Sequence, residues 1–176
     1  ADLRPGPRPS PAADAPLPAA LRRDALSVLL VTIDALRFDH VGFAGYRRAT
    51  TPTIDRLARR GVWFERAYST SYRTWFVLPS LVASQSTLEL GLPLETSGAG
   101  RPAPLPAAVV TLSERLRDSG FRTAMFTSFY YFDTWQLDQG ADQFVNLPTA
   151  GDGDRTGAEL VTDRAIAFAR AQPADQ

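Results

Sequence analysis

Apolar positions along the chain fall into a few uninterrupted runs, separated by segments with helical spacing. The clearest run is VLLVTI at 28–33, which leads directly into Asp34. A continuous apolar run of this length is typical of a strand that is buried on both faces of a parallel sheet. Similar patterns predict further strands at 62–69 (VWFERAYS) and 121–128 (FRTAMFTS).

Helices are predicted between and after these runs from their end signals. Thr51-Pro52 favours a helix start, because proline is tolerated at the first helical position, and Gly61 favours its end. A short helix is predicted within 78–86. Two more helix starts carry capping boxes, in which a threonine is followed three residues later by a glutamate: Thr111 with Glu114, and Thr156 with Glu159.

The alternation of strands and helices predicts an α/β fold with a largely parallel sheet flanked by helices. Residues 1–25 are rich in proline and alanine, so we expect a linker or tail there and the folded part at 26–176. Loops are predicted at 91–108 and at GDGD (151–154). In this pattern a further strand should follow the last helix, and we therefore expect 26–176 to be the N-terminal portion of a larger, here incomplete, domain.

Composition removes several classes of function. The 19 basic and 19 acidic side chains give a net charge of zero, so we expect no nucleic acid partner. The chain has no cysteine, which excludes disulfides, thiolate metal sites and a cysteine nucleophile. It has no lysine for a Schiff base, and its one histidine, His40, cannot by itself build a histidine-rich zinc site.

Asp34 is the first candidate for chemistry, because ligands of open α/β sheets bind at the carboxyl ends of the strands. An ionised carboxylate at that place needs a cation, an arginine or several N–H groups. A divalent metal ion is one reading, and a helix cap or an ion pair with Arg37 is the other; the residue pattern leaves both open. His40, next to Asp39, could orient a ligand, donate to a substrate oxyanion or be purely structural.

Several linked motifs then point to a known family. They are IDALRFDHVGFAGY (33–46), TPTIDRLA (51–58), GVWFERAYS (61–69), LSERLRDSGFRTAMFTS (112–128) and LDQGADQF (137–144). In order and spacing they resemble the N-terminal part of the sulfatase/alkaline-phosphatase superfamily. The resemblance covers residues 27–146 and implies an alkaline-phosphatase-like fold. It also implies that Asp34 is a metal ligand, with one ligand fewer than in members that have a second aspartate where this chain has Ala35.

The family's nucleophile position can be placed in two ways on AYSTSYRTWFVLPSLVASQ (67–85). An alignment without gaps from Ala67 puts Thr74 there, and we prefer it because it needs no insertion. Aligning VLPS with the family's own motif instead puts Val77 there, which would make the protein inactive. A metal ion shared with Asp34 would lower the pKa of the Thr74 hydroxyl and activate it as a nucleophile. The alternative role for Thr74 is a helix cap.

The resemblance implies a metal-dependent hydrolase or transferase acting on phosphoric or sulfuric esters, with His40 and Thr74 as catalytic residues and Asp34 and Thr74 as ligands of Ca, Mn, Mg or Zn. An unmodified threonine is similar to the phosphate-transferring branches, which favours phosphate over sulfate esters. The expected substrate is a small molecule, lipid or glycan ester. The resemblance implies a periplasmic or extracellular location and is compatible with an upstream membrane anchor. The alternative is an inactive or truncated member that serves as a binding domain.

Overall fold

A computed structural model of the chain describes residues 27–92, 103–129, 131–147 and 156–172. The predicted linker at 1–25 and the predicted GDGD loop lie outside these ranges, as do residues 93–102 of the predicted loop at 91–108. The chain divides into two compact units, one formed by Ala1–Leu30 with Gln172–Gln176 and the other by Val31–Ala171. All helices and strands described below belong to the second unit.

The second unit combines short helices with a small sheet. Two 3-10 turns, Phe38–His40 and Gly42–Ala44, come before the first helix. The elements that follow are α1 (Pro52–Ala58), α2 (Thr74–Ala83), α3 (Leu112–Asp118), β1 (Ala124–Thr127), α4 (Tyr131–Trp135), β2 (Gln143–Asn146) and α5 (Gly157–Ala171). Within the described residues, none of these helices is long and apolar enough to cross a lipid bilayer.

The two strands pair in parallel, with Ala124 opposite Gln143 and Thr127 opposite Asn146. α5 packs against β1, where the rings of Phe126 and Phe168 lie 5.8 Å apart. Parallel strands need a crossover connection, and the chain between β1 and β2 contains α4. The predicted α/β class with parallel pairing is therefore confirmed, and β1 forms inside the predicted strand 121–128.

The predicted helix ends are confirmed at both capping boxes. The Glu114 carboxylate accepts the Thr111 N–H at 2.8 Å, and the Thr111 hydroxyl accepts the Glu114 N–H at 3.2 Å. Thr156 and Glu159 make the same reciprocal bonds at 2.7 and 3.3 Å. The helix predicted from Thr51-Pro52 is present as α1, whereas α2 begins four residues before the predicted range 78–86.

Two predicted strands are not formed. Residues 28–33 and 62–69 enter no strand pairing, and most of their apolar side chains face solvent, with Leu29 80% and Tyr68 88% exposed. A strand is stable only where a neighbour satisfies its backbone N–H and C=O groups. In the described part of the chain the sheet consists of β1 and β2 alone, so neither of these two runs has a neighbouring strand.

The main apolar core lies between the end of α2 and the chain that follows it. Ala83, Leu90, Leu92 and Leu105 are buried together, with Val82 and Val109 against them. The Leu105 N–H donates to the Trp135 carbonyl at 2.9 Å, so the loop carrying Leu105 is joined to α4. Each fully buried leucine of this kind contributes about 1.5–3 kcal/mol. This core supports α2 from its C-terminal end.

Candidate active site

The two residues predicted to share a metal ion lie side by side. The Thr74 hydroxyl donates to Asp34 Oδ1 at 3.5 Å, although the residues are 40 positions apart. Thr74 is the first residue of α2, and Asp34 lies in a turn. The contact is at the long limit of a hydrogen bond, so it shows proximity more than a strong bond.

The turn that carries Asp34 has an unusual backbone. Ala35 adopts a φ of +56°, in the left-handed region that residues with a Cβ rarely occupy. Backbone of this kind costs of order 1–3 kcal/mol and occurs preferentially at functional sites. In this chain it turns the backbone directly after Asp34.

Arg37, which the sequence offered as an ion-pair partner for Asp34, pairs with Asp39 instead. Arg37 donates to Asp39 through both Nε (2.9 Å) and a terminal nitrogen (2.6 Å). Its guanidinium, and after it the His40 ring, hold the pKa of the Asp39 carboxyl well below its usual range. Arg37 is thereby engaged, and among the described contacts the Asp34 carboxylate meets a hydroxyl and no cation.

His40 lies in the same loop but bonds away from the Asp34–Thr74 pair. Its Nδ1 is 3.0 Å from Asp39 Oδ1, and its ring centroid is 4.6 Å from that of Tyr46. The Thr50 hydroxyl donates to the His40 carbonyl at 2.7 Å. Within the described residues, no hydrogen bond joins His40 to Asp34 or Thr74. A catalytic role for His40 therefore stays a prediction.

The loop between Asp34 and α1 is held by a hydrogen-bonded group that the motif pattern did not explain. The Asp55 carboxylate accepts the Thr51 hydroxyl and the Phe43 N–H, both at 2.9 Å, and the Thr51 hydroxyl accepts the Gly42 N–H at 2.9 Å. Thr51 thus occupies the N-cap position without capping the helix. A Cβ on Gly42 would overlap the Asp55 carboxylate, so a larger residue here would displace that carboxylate. In the T-P-x-I-D motif Thr51 and Asp55 are four residues apart, which places their side chains one helical turn apart. This spacing is the sequence signal from which their contact could have been predicted.

Metal binding by Asp34 and Thr74 can be tested against their spacing. Calcium–oxygen distances are roughly 2.3–2.6 Å, so neighbouring ligands at right angles lie about 3.3–3.7 Å apart. The 3.5 Å between the two oxygens fits this range, and both are hard oxygen donors suited to such an ion. Two donors are fewer than the six or more that calcium takes. The described part of the chain contains no group of three or more His, Cys, Asp or Glu side chains that could hold a metal by itself.

The residue before Thr74 is Arg73, which the sequence alone did not single out. Arg73 is the N-cap residue of α2, and its carbonyl accepts the Phe76 N–H at 3.0 Å. No side chain caps this helix end. The Arg73 guanidinium carbon lies 5.4 Å from the Tyr72 ring centroid and 5.1 Å from that of Trp75. Thr74 makes a hydrogen-bond contact with Asp34, but whether Thr74 or Val77 occupies the nucleophile position stays a prediction.

Comparison with known proteins supports the resemblance seen in the motifs. The family model described as Sulfatase matches residues 27–166. Steryl-sulfatase from Mus musculus is 28% identical over 183 residues, which cover 94% of this chain and 28% of that protein. The chain therefore spans about a quarter of the length of this relative. No solved structure matches the chain at a significant level. Because the family model covers most of its length, the chain belongs to the sulfatase family.

Proposed function

We propose that this chain carries the nucleophile side of an active site that cleaves esters of sulfuric acid. The observation that carries the proposal is the 3.5 Å contact between the Thr74 hydroxyl and Asp34. It brings a potential nucleophile and a potential metal ligand together at the start of α2, in a chain of the sulfatase family. The name of the mouse relative, steryl-sulfatase, supports a sulfate ester as the substrate class.

In the proposed reaction Asp34 and Thr74 would hold a divalent cation with their side-chain oxygens. When bound, the cation lowers the pKa of a hydroxyl ligand and neutralises charge on the ester. Thr74 Oγ1 then attacks the sulfur, the bond from sulfur to the alcohol oxygen breaks, and the alcohol leaves with a proton. Water hydrolyses the ester formed on Thr74 and restores its hydroxyl. His40 could contribute a donor to the ester oxygens, since Asp39 orients its ring through Nδ1.

Phosphoric esters are the second candidate, and a sequence fact favours them. The chain has no cysteine, and Thr74, the proposed nucleophile, carries an unmodified hydroxyl. Such a hydroxyl on a metal ion can attack phosphorus by the same steps. The substrate could be a small molecule, a lipid or a glycan. We also propose a periplasmic or extracellular location, which rests on the resemblance alone.

Metal titration tests the site directly. Isothermal titration of the full chain with Ca²⁺, Mn²⁺, Mg²⁺ and Zn²⁺ should detect binding of at least one ion. Asp34→Asn should weaken that binding by about tenfold or more, since even outer-shell partners of metal ligands contribute that much. Asp118→Asn is the matched control, because this carboxylate is exposed and pairs with Arg117 at 3.6 Å. Equal affinities in wild type and Asp34→Asn would remove Asp34 from the site.

Turnover of 4-nitrophenyl sulfate and 4-nitrophenyl phosphate tests the nucleophile. Thr74→Val should abolish hydrolysis, while Thr74→Ser should retain part of it because the hydroxyl remains. Val77→Ala should leave the rate within a few-fold of wild type, since in this proposal the apolar Val77 side chain supplies no group to the reaction. Metal binding without any turnover would instead favour the alternative of an inactive, ligand-binding family member.

A further inference from the structure

Arg73 differs from every other arginine that the structure describes. It is half-buried, whereas the other arginines in the described ranges are exposed to solvent. Burial of a guanidinium removes part of its hydration, which must be compensated by a partner. Arg37 obtains that compensation from the carboxylate of Asp39, at 2.6 and 2.9 Å. Arg73 has no carboxylate among its described contacts.

Aromatic rings take the place of that carboxylate. The Arg73 guanidinium lies within 5.4 Å of the Tyr72 and Trp75 ring centroids, which is within the range of a cation–π interaction. Its Nε donates to the Tyr72 hydroxyl at 3.2 Å, and its backbone N–H donates to the Ser71 hydroxyl at 3.2 Å. The guanidinium is therefore held by two aromatic rings and one hydroxyl, and the backbone of the same residue by Ser71. Within the described residues, its two terminal nitrogens have no hydrogen-bond acceptor.

A guanidinium that is held in place, but whose charge is not paired with a carboxylate, is suited to bind an anion. An aromatic contact orients the guanidinium but leaves its charge and its terminal N–H groups available. Those groups form a planar fork that matches two oxygens of a tetrahedral oxyanion. The Cα atoms of Arg73 and Thr74 are about 3.8 Å apart, because the residues are consecutive. The fork is thus carried by the residue next to the proposed nucleophile.

We propose that Arg73 is the anion-binding residue of this site and holds the non-bridging oxygens of the sulfuryl or phosphoryl group that Thr74 attacks. The proposal rests on the proposed function for its substrate class. Two of the three non-bridging oxygens lie against the terminal N–H groups, and the sulfur or phosphorus faces Thr74. Tyr72 and Trp75 act as positioning residues, since they orient the guanidinium and do not reach the reacting atoms.

Titration with inorganic sulfate and, separately, inorganic phosphate tests the proposal on the full chain. Charge-assisted hydrogen bonds of this kind correspond to roughly a 10- to 100-fold change in affinity, and Arg73→Gln should show that loss. The anion affinity of Arg73→Lys should fall between those of wild type and Arg73→Gln, because lysine keeps the charge and loses the planar fork. Arg60→Gln is the matched control, since Arg60 is exposed, and it should change affinity less than about twofold. The ion that binds tighter identifies the preferred ester.

Kinetic measurements distinguish the anion-binding role of Arg73 from the proposed ester-cleaving function of the chain. With 4-nitrophenyl sulfate or phosphate, Arg73→Gln should raise KM and lower kcat, whereas Thr74→Val should abolish turnover and lower the affinity for the inorganic anion less than Arg73→Gln does. Anion binding that depends on Arg73, without turnover by wild type, would refute the proposed function and retain Arg73 as the anion site. Turnover that depends on Thr74 but not on Arg73 would refute Arg73. A wild-type chain that binds neither ion, or an Arg73→Gln variant that binds as Arg60→Gln does, would refute it as well.

Discussion

Removal of the Asp55 carboxylate should destabilise the loop that joins Asp34 to α1. Asp55 is 9% exposed, and its Oδ1 accepts hydrogen bonds from the Thr51 hydroxyl and the Phe43 N–H, both at 2.9 Å. Asp55→Ala leaves both donors without this acceptor. A hydrogen bond to a charged group contributes about 1.5–3 kcal/mol, and water can reach part of this loop, so we expect a loss of about 2–4 kcal/mol in the free energy of unfolding.

Equilibrium unfolding in urea, followed by tryptophan fluorescence, measures this loss. Trp63 is a local probe, because its ring centroid lies 5.1 Å from that of Phe43. Asp55→Asn keeps an acceptor oxygen and should lose only about 1 kcal/mol. Asp118→Ala, an exposed carboxylate, should stay within about 0.5 kcal/mol of wild type.

A double-mutant cycle with Thr51→Val tests the physical reason itself. The Thr51 hydroxyl donates to Asp55, so the two substitutions remove one shared interaction. The double variant should therefore lose less than the sum of the single variants, by about 1 kcal/mol. Strict additivity would show that the two side chains do not act together. An Asp55→Ala variant as stable as Asp118→Ala would refute the role of Asp55 altogether.

Three further predictions concern backbone conformation and pH. Ala35→Val should destabilise the chain by about 1 kcal/mol, because a β-branched residue tolerates the φ of +56° less well than alanine, and a thermal melt equal to that of wild type would contradict this. Gly140→Ala should cost about 2 kcal/mol or more, since a Cβ at φ +84° would overlap Glu114; Gly61→Ala is the control, where a Cβ meets only the Leu57 carbonyl at 3.4 Å. The Thr111 N–H lowers the pKa of Glu114, so its contribution to stability is present above the unfolded pKa of about 4.3 and is lost as the pH falls through the lower folded value. Urea unfolding from pH 6 to pH 3 should show that loss, with a shallower slope in Glu114→Gln; identical slopes would exclude this carboxyl as a source of the pH dependence.

Local features of the chain could be predicted from the sequence because the interactions that produce them are local. Both capping boxes form between residues three positions apart, so a threonine and a glutamate at that spacing suffice. The start of α1 follows from Pro52 in the same way. The family was also recognisable from linked motifs, since their order and spacing survive even where one strand or helix boundary is misjudged.

Tertiary structure alone decided the features that depend on distant partners. An apolar run becomes a strand only if another strand lies beside it, and within the described residues 28–33 and 62–69 have none. Arg37 pairs with Asp39 and not with Asp34, because Asp39, two residues further along the chain, presents both carboxylate oxygens to the guanidinium. The sequence supplied Asp34 and Thr74 as separate candidates 40 positions apart, and only the fold placed their oxygens 3.5 Å from each other. It also placed Arg73 against two aromatic rings, where burial without a carboxylate distinguishes it from the exposed arginines around it.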